Sequence, residues 1–314
     1  MTIVLAGGSG FLGRALHLHL TAAGHTVRIL TRRPRPGAPD DVAWQPDGTA
    51  GPWAHALADA DVIVNLAGEG IADKRWTPAR KQALADSRIL PARSLARAID
   101  TLPTRPRTLI TSSAVGYYGA HGDDIVTEQT PPGDDFLADL CVTWEREASA
   151  PASAATHVAL VRTGIVLHPD GGALASMLTP FRLGLGGPMG SGRQYMSWIH
   201  LEDWLRLVAW LCDDGPSKAT AAARVPTLAS PAVTVWNACA PEPVTNADFG
   251  RTLGRVLRRP AVLPAPGFAL RLLLGEFATF LLTGARVVPA AAQDAGFAFA
   301  FTHLEPALRD LLDR

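Results

Sequence analysis

Immediately after a short apolar run the chain reads Gly7-Gly8-Ser9-Gly10-Phe11-Leu12-Gly13, a GxxGxxG spacing suited to cradling phosphates. Gly7 permits a tight turn, Gly10 lets backbone approach an anion, and Gly13 lets a helix pack closely on the preceding strand. A helix opening at Phe11 aims free N–H groups and its positive dipole end at that anion, so Ser9, Gly10, Phe11 and Leu12 are expected contacts. Dinucleotide folds that take NAD(H) place Asp or Glu at the end of the second strand, to accept from the ribose 2′-hydroxyl. Here that place is Thr31-Arg32-Arg33. Guanidinium groups without a carboxylate suit a 2′-phosphate, so NADP(H) rather than NAD(H) is the expected cofactor. A solvated basic strand end is the alternative. Asn65-Leu66-Ala67-Gly68 offers small residues where backbone must lie against ribose and phosphate, although packing also selects Ala and Gly at such a strand end.

These groups need a scaffold of alternating strands and helices, and the sequence supplies one. Strands are expected at 2–6, 26–30, 42–44, 62–66, 108–112 and 158–163, most of them near-continuous apolar runs fit for a sheet covered on both faces. Helices are expected at 11–23, 78–99 and 136–148 from apolar residues three and four apart, with Gly24 closing the first and Pro78 opening the second. The fold class is therefore α/β, a doubly wound parallel sheet of the Rossmann kind. Past Thr163 the texture changes, with Gly and Pro crowding 169–192. We place the boundary there: residues 1–167 form the NADP(H)-binding domain, its sheet completed by 233–238, and residues 168–314 form a smaller substrate domain. Residues 216–231 read as a loose surface loop.

Composition narrows the partners. The 314 residues are 47% hydrophobic and 18% charged, and Lys plus Arg equals Asp plus Glu at 29 each. This balance points away from nucleic acid and anionic membrane and toward a small-molecule substrate, neutral or anionic. Cys141, Cys212 and Cys239 are far apart and lack metal-site spacing, so buried thiols in a reducing compartment are expected and no metal site is. No signal peptide precedes the first strand, which makes the cytoplasm the expected location. The apolar stretch 268–282 is interrupted by Arg271, Gly275 and Glu276, falls short of a membrane span, and reads as a core or interface helix.

The glycine turn, Asn65–Gly68 and the Ser112-Ser113 pair together resemble the extended short-chain dehydrogenase/reductases, and the likeness extends through Arg162-Thr163-Gly164-Ile165-Val166-Leu167, 198–203 and Val235-Trp236-Asn237. More narrowly, IADKRWT (71–77), SAVGYYG (113–119), PFRLGLGGPMGSGRQYMSWIH (180–200) and LGEFATFLLTGARVVPAAAQDAGFAF (274–299) resemble the YfcH-type epimerase-like proteins. The resemblance implies an NADP(H)-binding oxidoreductase or epimerase-like activity, and it adds Ser112, Arg162 and Gly164 to the cofactor contacts. Arg88 falls where the superfamily often carries an Asn; it either reaches a cofactor phosphate or substrate carboxylate, or is a surface arginine. Extended relatives commonly pair through the helices after strands four and five, which implies a homodimer.

The superfamily moves protons with a Tyr and a Lys four residues later, on the helix after strand five. Here the corresponding positions are Phe136 and Leu140, and neither exchanges protons. Counting back from Tyr118 puts Ala114 at the family serine, whereas counting from Tyr117 puts Ser113 there; Ser113 is preferred. Tyr117, Tyr118 and Tyr195 are all the tyrosines in the chain, and each lies in a segment expected to line the substrate cleft. They and Ser113 are the candidate catalytic residues. Arg193 is the candidate grip for an anionic group, Gln194 a hydrogen-bonding partner, and Trp198 an apolar wall. A non-catalytic NADP(H)-binding sensor is the rival reading, supported by the missing Tyr-Lys chemistry.

Overall fold

The six apolar runs marked in the sequence become strands of one parallel sheet, and 233–238 joins them as a seventh. The structure is a computed structural model that describes residues 1–214, 220–225, 230 and 232–313. Its first half runs β1 (Thr2–Ala6), α1 (Phe11–Ala22), β2 (Thr26–Thr31), β3 (Asp41–Ala43), β4 (Val62–Asn65), α2 (Pro78–Thr101), β5 (Thr108–Ala114), β6 (Ile125–Val126), α3 (Phe136–Ser149) and β7 (His157–Thr163). Then come β8 (Ile165–Leu167), α4 (Gly172–Arg182), β9 (Tyr195–Met196), β10 (Trp198–His200), α5 (Leu201–Asp214), β11 (Val233–Ala238) and β12 (Val244–Thr245). The chain ends with α6 (Asn246–Leu257), α7 (Gly267–Leu274), α8 (Phe277–Leu282), β13 (Arg286–Val287), α9 (Ala290–Asp294) and α10 (Leu304–Leu312).

The sheet order is β11-β7-β5-β4-β1-β2-β3. Ala6 therefore stands between Leu30 on one side and Asn65 on the other, and the strand order reverses at β1. Such a reversal leaves a crevice outside the carboxyl ends of the strands, where doubly wound sheets take their ligands. Apolar burial holds the sheet from both faces. Leu16 and Leu20 of α1 and Trp204, Leu207 and Leu211 of α5 pack on one face; Leu95 and Ile99 of α2 and Trp144 of α3 pack on the other. A third cluster joins α4, α6 and α10 around Trp198 and Phe249.

Local signals explain most element ends. Thr77 accepts from the Arg80 N–H at 3.1 Å ahead of Pro78, and the Asp135 side chain does the same for Ala138 at 2.9 Å. After α1, Gly24 takes φ +85°, and the Gly24 and His25 N–H groups return to Thr21 and Leu20 carbonyls. The Gly- and Pro-rich stretch after 168 hides α4, which the sequence reading missed. The apolar stretch 268–282 differs from expectation: Gly275 at φ +64° splits it into α7 and α8. Only α8 buries side chains, Phe277 and Ala278, whereas Phe268, Leu272 and Leu273 on α7 face outward. Among the described residues no helix is long and apolar enough to cross a membrane. The loop expected at 216–231 lies largely outside the described residues.

Candidate functional site

The glycine turn sits at the reversal point of the sheet. A Cβ on Gly7, at φ +82°, would come within 2.7 Å of the Leu66 carbonyl, and one on Gly13 would come within 2.3 Å of the Gly7 carbonyl oxygen. Side chains at these two positions would push α1 off β1 and β4. Gly10 is different: a Cβ there would meet nothing closer than 3.4 Å, and Ser9 and Gly10 are exposed. No side chain caps α1, so the N–H groups of its first turn are open to an incoming anion. Phe11 and Leu12 are half-buried; Phe11 packs on Gly171 and beside His168, at 5.8 Å between ring centroids.

Four arginines lie on β2 or in the turn that follows it, and they divide cleanly. Arg28 is paired with Asp59 and Arg35 with Asp41, whereas the exposed Arg32 and Arg33 have no ion pair among the described residues. Thr31 is buried, and its hydroxyl accepts from the Arg33 N–H at 3.2 Å, shaping the turn that presents both cations. Across the crevice, Leu66 and Ala67 are half-buried and Gly68 is exposed, lying over Arg88, whose side chain a Cβ on Gly68 would meet at 3.3 Å. Arg88 donates to the Glu69 carbonyl at 2.8 Å and lies 5.5 Å from the Trp144 ring; burial lowers its pKa from the usual arginine value. Arg80 pairs with Glu69 and fixes the same loop. Of the β5 serines, Ser112 is half-buried and Ser113 turns inward.

Beyond β5 lies an open cleft of about 660 Å³, part of it continuous with solvent. Val115, Gly116 and Gly119 form one wall with Asp135; Ile165 and the 194–197 segment form another; Phe280 to Val287 close it. The structure brings Gln194 and Tyr195 into this cleft. Gln194 donates through Nε2 to the Met189 and Leu281 carbonyls, at 3.0 and 3.1 Å, which ties the loop to α8. The Tyr195 ring lies 5.4 Å from the Arg286 guanidinium. Asp135 and Arg286 were missed by the sequence reading; the helix-cap signal of Asp135 was legible, but nothing in the spacing placed it in one cleft with Tyr195.

Several expected site residues lie elsewhere. Arg162, fully buried, forms two 2.8 Å bonds to Glu145 and a 3.0 Å bond to the Tyr118 hydroxyl. Burial alone would push its guanidinium down, but Glu145 holds it raised above its ordinary value. Tyr118 donates to Asn237 at 2.7 Å, and Ser113 donates to Glu145 at 2.7 Å. The Tyr117 ring stacks 3.3 Å from the Arg162 guanidinium, and burial raises both tyrosine pKa values. Ser113, Tyr117, Tyr118 and Arg162 thus form an interior network, not a wall of the cleft, because a buried guanidinium needs its partners within reach. Gly164 serves packing, since a Cβ there would come within 2.3 Å of the Ser197 carbonyl oxygen. Trp198 is core, donating to the Glu242 carbonyl at 3.0 Å, and Arg193 is exposed outside the cleft.

Glu128 completes that network by accepting the Asn237 N–H at 2.9 Å. Burial pushes its carboxyl up from 4.5 to about 7, against the Asn237 bond that favours ionisation. The folded state therefore holds a proton that the unfolded chain releases between about pH 4.5 and 7, so stability falls as pH rises through that window and is flat above it. Glu128→Gln is expected to flatten this slope in denaturant titrations at about pH 5 and about pH 8. A slope identical to wild type rules the assignment out.

On α3, Phe136 packs edge-on to Trp76 at 5.3 Å, with the Lys81 ammonium 4.9 Å from its ring centroid. Leu140 is buried among Trp76, Leu84 and Phe277. The helix holds neither Tyr nor Lys.

A glycine turn at the reversal of a seven-stranded parallel sheet, with a cleft at the strand ends, defines a Rossmann-type dinucleotide fold. The NAD dependent epimerase/dehydratase family matches residues 3–221, and a domain of unknown function, DUF1731, matches residues 265–311; the chain belongs to the NAD dependent epimerase/dehydratase family. It is 43% identical over 308 residues to Epimerase family protein Mb2239 of Mycobacterium bovis, covering 98% of this chain and 96% of that protein. The crystal structure of human epimerase family protein SDR39U1 (isoform2) with NADPH superposes with a TM-score of 0.87 at 34% identity, covering 100% of this chain and 99% of that one. The nucleoside-diphosphate sugar epimerase from Corynebacterium glutamicum superposes with a TM-score of 0.75 at 32% identity, covering 99% of this chain and 58% of that one. The resemblance to the extended short-chain dehydrogenase/reductases holds along the whole chain.

Proposed function

We propose that this protein binds NADP(H) across the carboxyl edge of the sheet and uses it in an oxidoreductase or epimerase-like reaction on a small molecule held in the cleft. The observation that carries the reading is Arg32-Arg33, without an ion pair among the described residues, at the same sheet edge as an α1 N-terminus with no side-chain cap, while Arg28 and Arg35 are paired with carboxylates. An anion fits both ends of this arrangement: the pyrophosphate on the first turn of α1 and the 2′-phosphate on the two guanidinium groups. The human relative crystallised with NADPH supports the same cofactor. In this reading residues 1–167 with 233–238 hold the cofactor and residues 168–314 supply most of the substrate wall.

When bound, NADP(H) supplies or accepts the hydride equivalent. The chain's own residues orient the substrate and move its proton. Tyr195 is the tyrosine in the cleft wall, so its hydroxyl is the group we assign to proton exchange with the substrate oxygen. The reaction proceeds without the usual Tyr-Lys pair, because Phe136 and Leu140 pack in an aromatic cluster. The same packing favours, as a second reading, a sensor that binds NADP(H) without turnover.

Arg32→Ala is expected to weaken NADPH binding about 10- to 100-fold, the worth of a charge-assisted hydrogen bond, and to leave NADH binding unchanged. Fluorescence titration with both nucleotides measures it. Equal loss for the two would remove the 2′-phosphate from the account.

A further inference from the structure

We infer that the cleft takes an uncharged, mainly hydrocarbon substrate and not a nucleoside-diphosphate sugar. The inference rests on the reading of this cleft as the substrate site, and it concerns what the wall recognises. Val115, Ile165, Met189, Met196, Phe280 and Leu281 make most of that wall apolar. Among the described residues its one ionisable carboxylate is Asp135, and no lysine or arginine lines it. Arg193 is exposed outside the cleft, and Arg286, though stacked near the Tyr195 ring, is not a wall residue.

The polar wall side chains are mostly engaged already. Ser197 donates to the Ala285 carbonyl at 2.8 Å and accepts the Val287 N–H at 3.1 Å. Thr283 donates to the Thr279 carbonyl at 2.9 Å, and Gln194 spends its amide hydrogens on two carbonyls. What remains among the described residues is the Tyr195 hydroxyl, the buried Gln194 Oε1, which has no hydrogen-bond partner, and the second oxygen of Asp135, whose first oxygen caps α3. A diphosphate placed here would bring two negative charges beside Asp135 with no wall cation to receive them. The contrast lies within the molecule: among the described residues the cofactor end presents two exposed guanidinium groups with no ion pair, whereas the guanidinium near the cleft, Arg286, lies against the Tyr195 ring and off the wall. Hydrocarbon surface and one or two hydroxyl or carbonyl groups, facing Tyr195, Gln194 and Asp135, match what the wall offers.

The test is calorimetric titration of the full chain, with and without saturating NADPH, using straight-chain methyl ketones from butanone upward and, separately, UDP-glucose. The dissociation constant of the ketones is expected to fall about fourfold per added methylene until the cleft is filled, and UDP-glucose to bind more weakly than the longer ketones. Leu281→Asp, at a half-exposed wall position on α8, should abolish the chain-length dependence while NADPH affinity stays at the wild-type value. Tighter binding of UDP-glucose than of any ketone, or an affinity independent of chain length, overturns the inference. Failure of NADPH to bind would instead sink the cofactor reading, and the ketone series without NADPH would still judge the cleft.

Discussion

Arg162→Met is expected to cost about 3–5 kcal/mol of folding stability, with NADPH affinity per folded molecule unchanged. Among the described residues the guanidinium is the only cation bonded to Glu145, itself 3% exposed, and it also donates to the Tyr118 hydroxyl. Removing it strands a carboxylate in the interior with Ser113 as its remaining side-chain donor. For a chain stabilised by the usual 5–15 kcal/mol, that is a large fraction of the total. Thermal unfolding should show a midpoint lowered by about 5–8 °C. Adding Glu145→Leu removes the stranded charge, so the double variant should regain part of the loss; simple additivity of the two single effects would mean that the residues do not act as a pair. Normal stability with a selective loss of NADPH binding would return Arg162 to the cofactor crevice.

This network marks the limit of what the sequence could disclose. The strands were legible because a parallel sheet covered on both faces writes continuous apolar runs, and β4 and β11 are buried at every position. The glycine turn was legible because close backbone approach tolerates no side chain at Gly7 or Gly13. Ser113, Tyr117, Tyr118 and Arg162 look polar and functional in sequence, yet Glu145, seventeen positions before Arg162 and on a different element, turns them into an interior cluster. No local pattern announces such a partner. The cleft wall is likewise assembled from four distant segments, 115–135, 165, 189–197 and 280–287, so its apolar character emerges only when they meet. Trp198 illustrates the converse, since a tryptophan in a glycine-rich loop reads as a binding wall until its Nε1–H is found donating to Glu242 inside the third core cluster.

Tyr195→Phe is expected to lower turnover by about 10²- to 10⁴-fold on any substrate that the protein converts, the usual worth of a positioned acid–base group. Stability should barely change, because no hydrogen bond engages the hydroxyl among the described residues and the ring keeps its place beside Arg286. Tyr118→Phe makes the opposite control. It deletes the bonds to Arg162 and Asn237, at 3.0 and 2.7 Å, and so should lower the unfolding midpoint while leaving turnover per folded molecule near wild type. Burial raises the Tyr118 pKa well beyond the range in which a phenol releases protons at neutral pH, and the group is fully enclosed. Single-turnover kinetics on the two variants, with NADPH binding measured in parallel, separates the roles. If Tyr195→Phe retains full turnover, the proton passes through Asp135, the other ionisable group of the wall, and Asp135→Asn should then carry the loss. The asparagine would still accept the Ala138 N–H and cap α3, so a fall in rate there would report chemistry and not a frayed helix.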